Sequence, residues 1–210
     1  STRTYYEQIN RMVQQSAGLK SSAPMLIENL DFAQLYGLIE EDDWDRATVT
    51  LSESAKRLED AGAGAIVIAA NSMYRVYDQL TQAVSIPIIH IADCIGQRMA
   101  ADKVETAALF GTRNVMTESF YRRRLVAHGG DLLPPDMKNV EVLDRIIYDE
   151  LMTGKATRDA ERVLKTMITI LEKEGAQAVV LACTELEMIV DIDANVLPIY
   201  DSSRIHARAA

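Results

Sequence analysis

Gly62-Ala63-Gly64-Ala65-Ile66-Val67-Ile68-Ala69-Ala70-Asn71 returns, at a constant offset of 113 residues, as Gly175-Ala176-Gln177-Ala178-Val179-Val180-Leu181-Ala182-Cys183-Thr184. Both copies carry the same physical instructions. A glycine ends a helix, an apolar run too short for a helix follows, and a small polar residue stands where the next helix starts. The tips differ: the second copy ends on a thiol, Cys183, and the first has Ala70 there.

The repeat extends outward. Ile86-Pro87-Ile88 matches Leu197-Pro198-Ile199 at an offset of 111, and Tyr5-Tyr6 matches Phe120-Tyr121 at 115. Near-constant offsets describe two halves of one duplicated unit. Short Ile/Val/Leu-rich runs at Met25–Glu28, Ala65–Ala69, Ile86–Ile89, Thr106–Phe110, Ala178–Ala182 and Val196–Ile199 do not alternate with polar residues. That is the pattern of strands buried on both faces of a parallel sheet. Helical patterns lie between them at Tyr5–Gln15, Trp44–Asp60, Met73–Gln82, Ile95–Ala101, Met116–Ala127, Val140–Met152 and Thr157–Glu174, with a last one at Ser202–Ala210.

This alternation predicts an α/β fold of two pseudo-symmetric Rossmann-like lobes, each a parallel sheet flanked by helices. The expected site is the cleft between the lobes, beyond the carboxyl ends of the strands. The first lobe is expected to take residues 1–92 plus 196–210, and the second residues 93–195. Thr106–Phe110 and its turn Gly111-Thr112-Arg113-Asn114 have no counterpart ahead of Tyr5-Tyr6, so the first lobe's first strand is expected to lie outside these 210 residues.

With 48% hydrophobic residues the chain can bury a core. A net charge of −9 disfavours nucleic acid as a partner. Arg122-Arg123-Arg124 reads as a solvated helix face. No apolar run approaches a membrane span, and Ser1–Tyr6 does not read as a signal peptide. Cys94 and Cys183 form no disulfide framework or metal spacing, which suits a reducing cytoplasm. His90, His128 and His206 are scattered, so no metal site is expected.

Cys183 ends an apolar strand ahead of Thr184-Glu185-Leu186-Glu187, a plausible first helical turn. Free N–H groups and a helix dipole there would lower the thiol pKa and favour thiolate. An inert core cysteine is the alternative. Asn71, Ser72 and Thr184 suit a carboxylate-binding nest or plain helix caps. Gly111-Thr112-Arg113-Asn114 reads as an anion-binding turn or a simple turn. Cys94 reads as structural, in the first turn of a helix capped by Asp93.

These residues resemble the aspartate/glutamate racemase family of pyridoxal-independent amino-acid racemases, in its bacterial broad-specificity branch. The carriers are Leu181-Ala182-Cys183-Thr184-Glu185, Ile68–Tyr74, Asp31-Phe32, Leu109–Arg113 and Ile147–Leu151 with Gly154. The resemblance implies a cofactor-independent, two-base proton transfer at the Cα of a small amino-acid or carboxylate substrate, and a homodimer. It implies Cys183 as one acid/base and Asn71, Ser72, Thr112 and Thr184 as substrate-binding positions. Four positions depart from the family pattern, one of them conservatively, with Ser72 where the family has Thr. Ala70 occupies the place of the first base, Tyr74 stands where the family has His, and Met152 stands where aspartate-specific members have Lys. Three readings follow: a racemase-like enzyme with one carrier absent, a single-Cys lyase similar to arylmalonate decarboxylases, and a non-catalytic small-carboxylate binding protein.

Overall fold

The helix Trp44–Asp60 starts at Asp43, whose carboxylate accepts from the Arg46 N–H at 3.0 Å. The helix Arg158–Lys173 starts at Thr157, whose hydroxyl accepts from the Ala160 N–H at 3.1 Å. The two helices also end alike. Gly62 and Gly175 take φ of 95° and 99°. The following N–H groups then reach back five residues, Ala63 to Leu58 (3.0 Å) and Ala176 to Leu171 (2.9 Å). This winding needs positive φ, which glycine adopts without a Cβ clash. Both turns launch the chain into a parallel strand.

The computed structural model covers residues 1–210. Its first half runs α1 (Thr2–Ala17), α2 (Phe32–Glu40), α3 (Trp44–Asp60), β1 (Ile66–Val67), a 3-10 turn (Asn71–Val76), α4 (Tyr77–Ala83), β2 (Ile88–Ile89) and α5 (Ile91–Ala101). The second half runs β3 (Thr106–Gly111), α6 (Arg113–Thr117), α7 (Ser119–Val126), β4 (Asp131–Leu132) and α8 (Met137–Arg145). There α8 winds on as a π-helical turn (Ile146–Glu150) and a 3-10 turn (Leu151–Thr153). Then come α9 (Arg158–Lys173), β5 (Ala178–Ala182), a 3-10 turn (Thr184–Met188), β6 (Ile199–Asp201) and α10 (Ser202–Ala209).

All ladders are parallel, in sheets ordered β1-β2 and β4-β3-β5-β6. Strand β5 is buried throughout, and its residues serve two cores in alternation. Val179 and Leu181 join α8 and α9 on one face. Ala178, Val180 and Ala182 join α5 and α7 on the other. A third core around Leu51, Ile66, Leu80 and Ile88 holds the first lobe.

Several expectations need correction. Met25–Glu28 forms no ladder, because it has no strand beside it to hydrogen-bond with; Glu28 instead accepts from Arg57 Nε at 2.9 Å. Helix α2 and strand β4 are additional to the predicted elements. Within the segment 196–210 expected in the first lobe, β6 hydrogen-bonds to β5 of the four-stranded sheet. Helix α10 then returns to pack on both α1 and α5. Helix α5 starts at His90 rather than Asp93. His90 Nδ1 accepts from the Ala92 N–H (3.1 Å), and Asp93 binds Arg124 Nε (2.8 Å). The arginine run is pinned rather than free on two of its three members. Arg122 donates to the carbonyls of Met116 and Leu133, and Arg124 lies 4.4 Å over the Tyr77 ring. No helix is long and apolar enough to cross a membrane.

Two histidines are buried, His90 at the start of α5 and His206 on α10. His206 Nε2–H donates to the Ile89 carbonyl (2.9 Å), so Nδ1 is the acceptor for the Tyr5 hydroxyl (2.7 Å). Burial lowers His206 to about 4; burial, then the Arg124 charge, lowers His90 to about 3. Both values lie below the ~6.5 of an unfolded chain. The neutral rings therefore stabilise the fold above pH ~6.5, and that contribution is lost as pH falls towards 4 and then 3. Urea unfolding should show stability dropping between pH 6.5 and 4.5 by up to ~1.4 kcal/mol per pH unit for each histidine. His90→Asn, which can still cap α5, should remove about half of the histidine part of the slope; an unchanged slope would contradict the assignment.

Candidate active site

The two repeated tips share one backbone conformation. Ala70 has φ −151° and ψ 115°, and Cys183 has φ −153° and ψ 124°. Each is the last extended residue before a 3-10 turn, whose first N–H groups have no partner within the turn. Both tips line a single cleft of about 1890 Å³, together with Asn71, Ser72, Thr112 and Thr184. All six sequence-predicted positions thus lie on the lining of that one cleft.

Thr112 arrives there through Gly111. A Cβ on Gly111 would lie 2.9 Å from the Ala182 carbonyl oxygen, inside any real contact distance. Only hydrogen fits, so β3 and β5 stay paired to their last residues, Gly111 with Ala182. Thr112 then emerges beside the Cys183 tip.

Cys183 is 7% exposed, and its Sγ–H donates to Glu185 Oε2 at 3.1 Å. The sequence predicted a lowered thiol pKa; the structure reverses the sign. Burial pushes the thiol well above its ordinary value, and the Glu185 charge and hydrogen bond add to this. The N–H groups of Glu185 and Leu186 pull the other way and lose. Removing a thiolate from water costs more than a five-residue turn, with its small dipole, returns.

The polar residues are partly committed already. Asn71 Oδ1 accepts from the Tyr121 hydroxyl (2.8 Å), and one Nδ2 proton goes to Ser202 Oγ (3.3 Å). The second Nδ2 proton is free for a ligand. Thr112 spends its only proton on Asn114 Oδ1 (2.6 Å), an oxygen identified as such because it also accepts from the Val115 N–H. Thr112 therefore meets a ligand with lone pairs. That suits an ammonium group rather than the carboxylate expected from sequence.

Tyr74 is not part of this wall. It is fully buried, and its hydroxyl donates to the Ile89 carbonyl at 2.9 Å. Cys94 is likewise outside the cleft lining.

Sequence reasoning missed two features. Glu185 is the only side chain hydrogen-bonded to the thiol, and its place two residues after Cys183 was the available signal. The second is an aromatic wall on the same cleft: Phe32 stacks on Tyr36 at 5.5 Å, and Tyr36 meets Tyr148 at 4.9 Å. Tyr148 sits on the π-helical turn, a local underwinding frequent at functional sites. Phe32 and Tyr36 lie on α2 in the first half of the chain and Tyr148 on the π-helical turn in the second, and all three line the cleft.

A sequence profile for Asp/Glu/Hydantoin racemase matches residues 1–210, and the chain belongs to that family of racemases. The broad specificity amino-acid racemase RacX of Bacillus subtilis (strain 168) is 22% identical over 215 residues, 91% of this chain and 92% of RacX. A Yersinia pestis protein whose crystal structure carries the provisional designation Asp/Glu racemase is 34% identical, with a TM-score of 0.91 over 99% of this chain and 91% of that one. An aspartate racemase homologue of Pyrococcus horikoshii OT3 is 28% identical, with a TM-score of 0.84 over 99% and 91%.

Neutralising Glu185 removes one of the causes that raise the thiol pKa. Glu185→Gln should therefore increase the thiolate fraction and speed iodoacetamide alkylation of Cys183 at pH 8, with Cys94 as the internal reference by mass spectrometry. A slower or unchanged rate would rule out electrostatic control of Cys183 by Glu185.

Proposed function

We propose that this chain is a cofactor-independent proton-transfer enzyme acting at the Cα of a small amino acid, with Cys183 as its acid/base and Ala70 at the place of the second carrier. One observation carries the reading: a thiol hydrogen-bonded to a carboxylate sits on one of two equivalent strand tips that line the same cleft. Family membership supplies the reaction class.

The resting site holds Cys183 neutral. A substrate ammonium group entering the cleft adds a positive charge, which favours the thiolate, and Glu185 is positioned to take the Sγ proton. The thiolate then removes the Cα proton. The Cα–H bond breaks, an S–H bond forms, and the electron pair moves into the substrate carboxylate. N–H groups of the two 3-10 turns and the free Nδ2 proton of Asn71 are the donors for that negative charge, and the Ser72 and Thr184 hydroxyls stand beside them. Thr112 receives the ammonium group. Returning the proton from sulfur restores the original enantiomer, while the other tip presents only the methyl group of Ala70. The site is therefore one-sided, and it exchanges the Cα proton faster than it inverts the centre. Both cysteines are free thiols, which supports a reducing, cytoplasmic setting, and family membership supports a homodimer.

Each enantiomer of a panel of amino acids, incubated in deuterated water and followed by NMR, tests this. Exchange should be confined largely to one enantiomer and should fall at least ~100-fold in Cys183→Ala. Ala70→Cys should convert exchange into racemisation by supplying the second carrier. Equal racemisation from both enantiomers by the native chain, or exchange that survives Cys183→Ala, would overturn the mechanism. Release of CO2 from a disubstituted malonate would point to the lyase reading instead.

A further inference from the structure

Three donors around Thr112 are already spent. The Arg113 N–H donates to Asp144 Oδ1 (2.7 Å), the Val115 N–H donates to Asn114 Oδ1 (2.9 Å), and the Thr112 hydroxyl donates to that same oxygen (2.6 Å). An anion would need such groups free, and here the turn that reads as anion-binding in the sequence has turned them inward. Chemistry fixes the direction of the last two bonds. A backbone N–H can only donate, so the Asn114 atom facing Val115 is the amide oxygen, and the Thr112 hydroxyl beside it can only donate as well.

This reverses an ordinary helix cap. Thr112 is the N-cap of α6, and Val115 is the third residue of that helix. A threonine there normally accepts from the third N–H through its own hydroxyl. The Thr112 side chain makes no such bond, because Asn114 Oδ1 takes the Val115 N–H in its place. The other end of the amide does nothing for the turn: Asn114 Nδ2 is shut off from solvent and has no partner. Thr112 lines the cleft and Asn114 does not, so Asn114 can affect a ligand only through Thr112.

We infer that Asn114 is a positioning residue: by taking over the cap it makes the Thr112 hydroxyl an acceptor-only contact, which selects ligands with an α-ammonium group over 2-oxo acids of the same skeleton. An ammonium group brings protons to the Thr112 lone pairs, whereas the carbonyl oxygen of a 2-oxo acid meets them with lone pairs of its own. The inference rests on the proton-transfer reading above, because that reading places the amino group of the substrate at Thr112.

Thermal unfolding of the full chain with alanine and with pyruvate, which share a skeleton and a carboxylate, tests it. The apparent Kd drawn from the Tm shifts should be at least about tenfold weaker for pyruvate. In Asn114→Leu the Thr112 hydroxyl is free to rotate and donate, and the two affinities should come within about threefold of each other. Asn114→Ala gives the same reading should leucine prevent folding. Asn114→Asp, assayed at pH 8 with its carboxylate ionised, keeps both acceptor contacts and should retain the preference. In Cα-deuterium exchange Asn114→Leu should raise the alanine KM about tenfold and change kcat less. A residue that only caps α6 would behave differently: Asn114→Leu would lower the ligand-free Tm and leave the alanine-to-pyruvate ratio unmoved. That result, equal affinities in the native chain, or a preference lost in Asn114→Asp as fully as in Asn114→Leu would overturn the assignment. No exchange from any amino acid would sink the proton-transfer reading separately, and the Tm shifts would still decide the polarity of Thr112.

Discussion

The site depends on one constraint: two strand ends must finish in the same extended conformation, each facing the same cleft. The glycine-terminated helices enforce it. Gly62 and Gly175 fix the angle at which α3 and α9 hand the chain to β1 and β5, and the strands then run the same number of residues to Ala70 and Cys183. Matching dihedrals at the two tips follow from matching local sequences. Gly111 completes the geometry by letting β3 pair with β5 up to the last residue before Cys183. A side chain there would open the sheet at the point where Thr112 joins the wall.

On that symmetrical frame the chemistry is asymmetric. The second tip carries a thiol, with Glu185 hydrogen-bonded to it. At the equivalent places in the first half stand Ala70 and Ser72. Burial and the neighbouring carboxylate hold the thiol protonated. Under the proposed mechanism such a group acts as a base once a ligand supplies compensating positive charge, so an amino acid would carry part of its own activation into the site. The Thr112 proton is spent on Asn114, so only its lone pairs face a ligand.

Much of the frame was legible. The predicted Ala178–Ala182 and Trp44–Asp60 coincide with β5 and α3, because unbroken apolar burial and a clean cap-to-glycine pattern are local signals. Where the signal was not local, the reading failed. Met25–Glu28 has strand composition, but a strand exists only through a partner. Helix α2 was unread, and its value lies in two rings whose partner, Tyr148, is more than a hundred residues away. The sign of the Cys183 shift is not legible in the sequence, because a dipole can be read from sequence and the depth of burial cannot.

The sequence by itself determined the duplicated α/β plan, the pairing of Ala70 with Cys183, and the polar residues beside them, since periodicity, caps and internal repeats are all encoded within short stretches of chain. Only the tertiary structure decided that β6 joins β5, that burial together with Glu185 outweighs the turn at the thiol, and that Phe32, Tyr36 and Tyr148 form one wall. Those outcomes turn on desolvation and on contacts between distant segments, which take their values only once the lobes are packed.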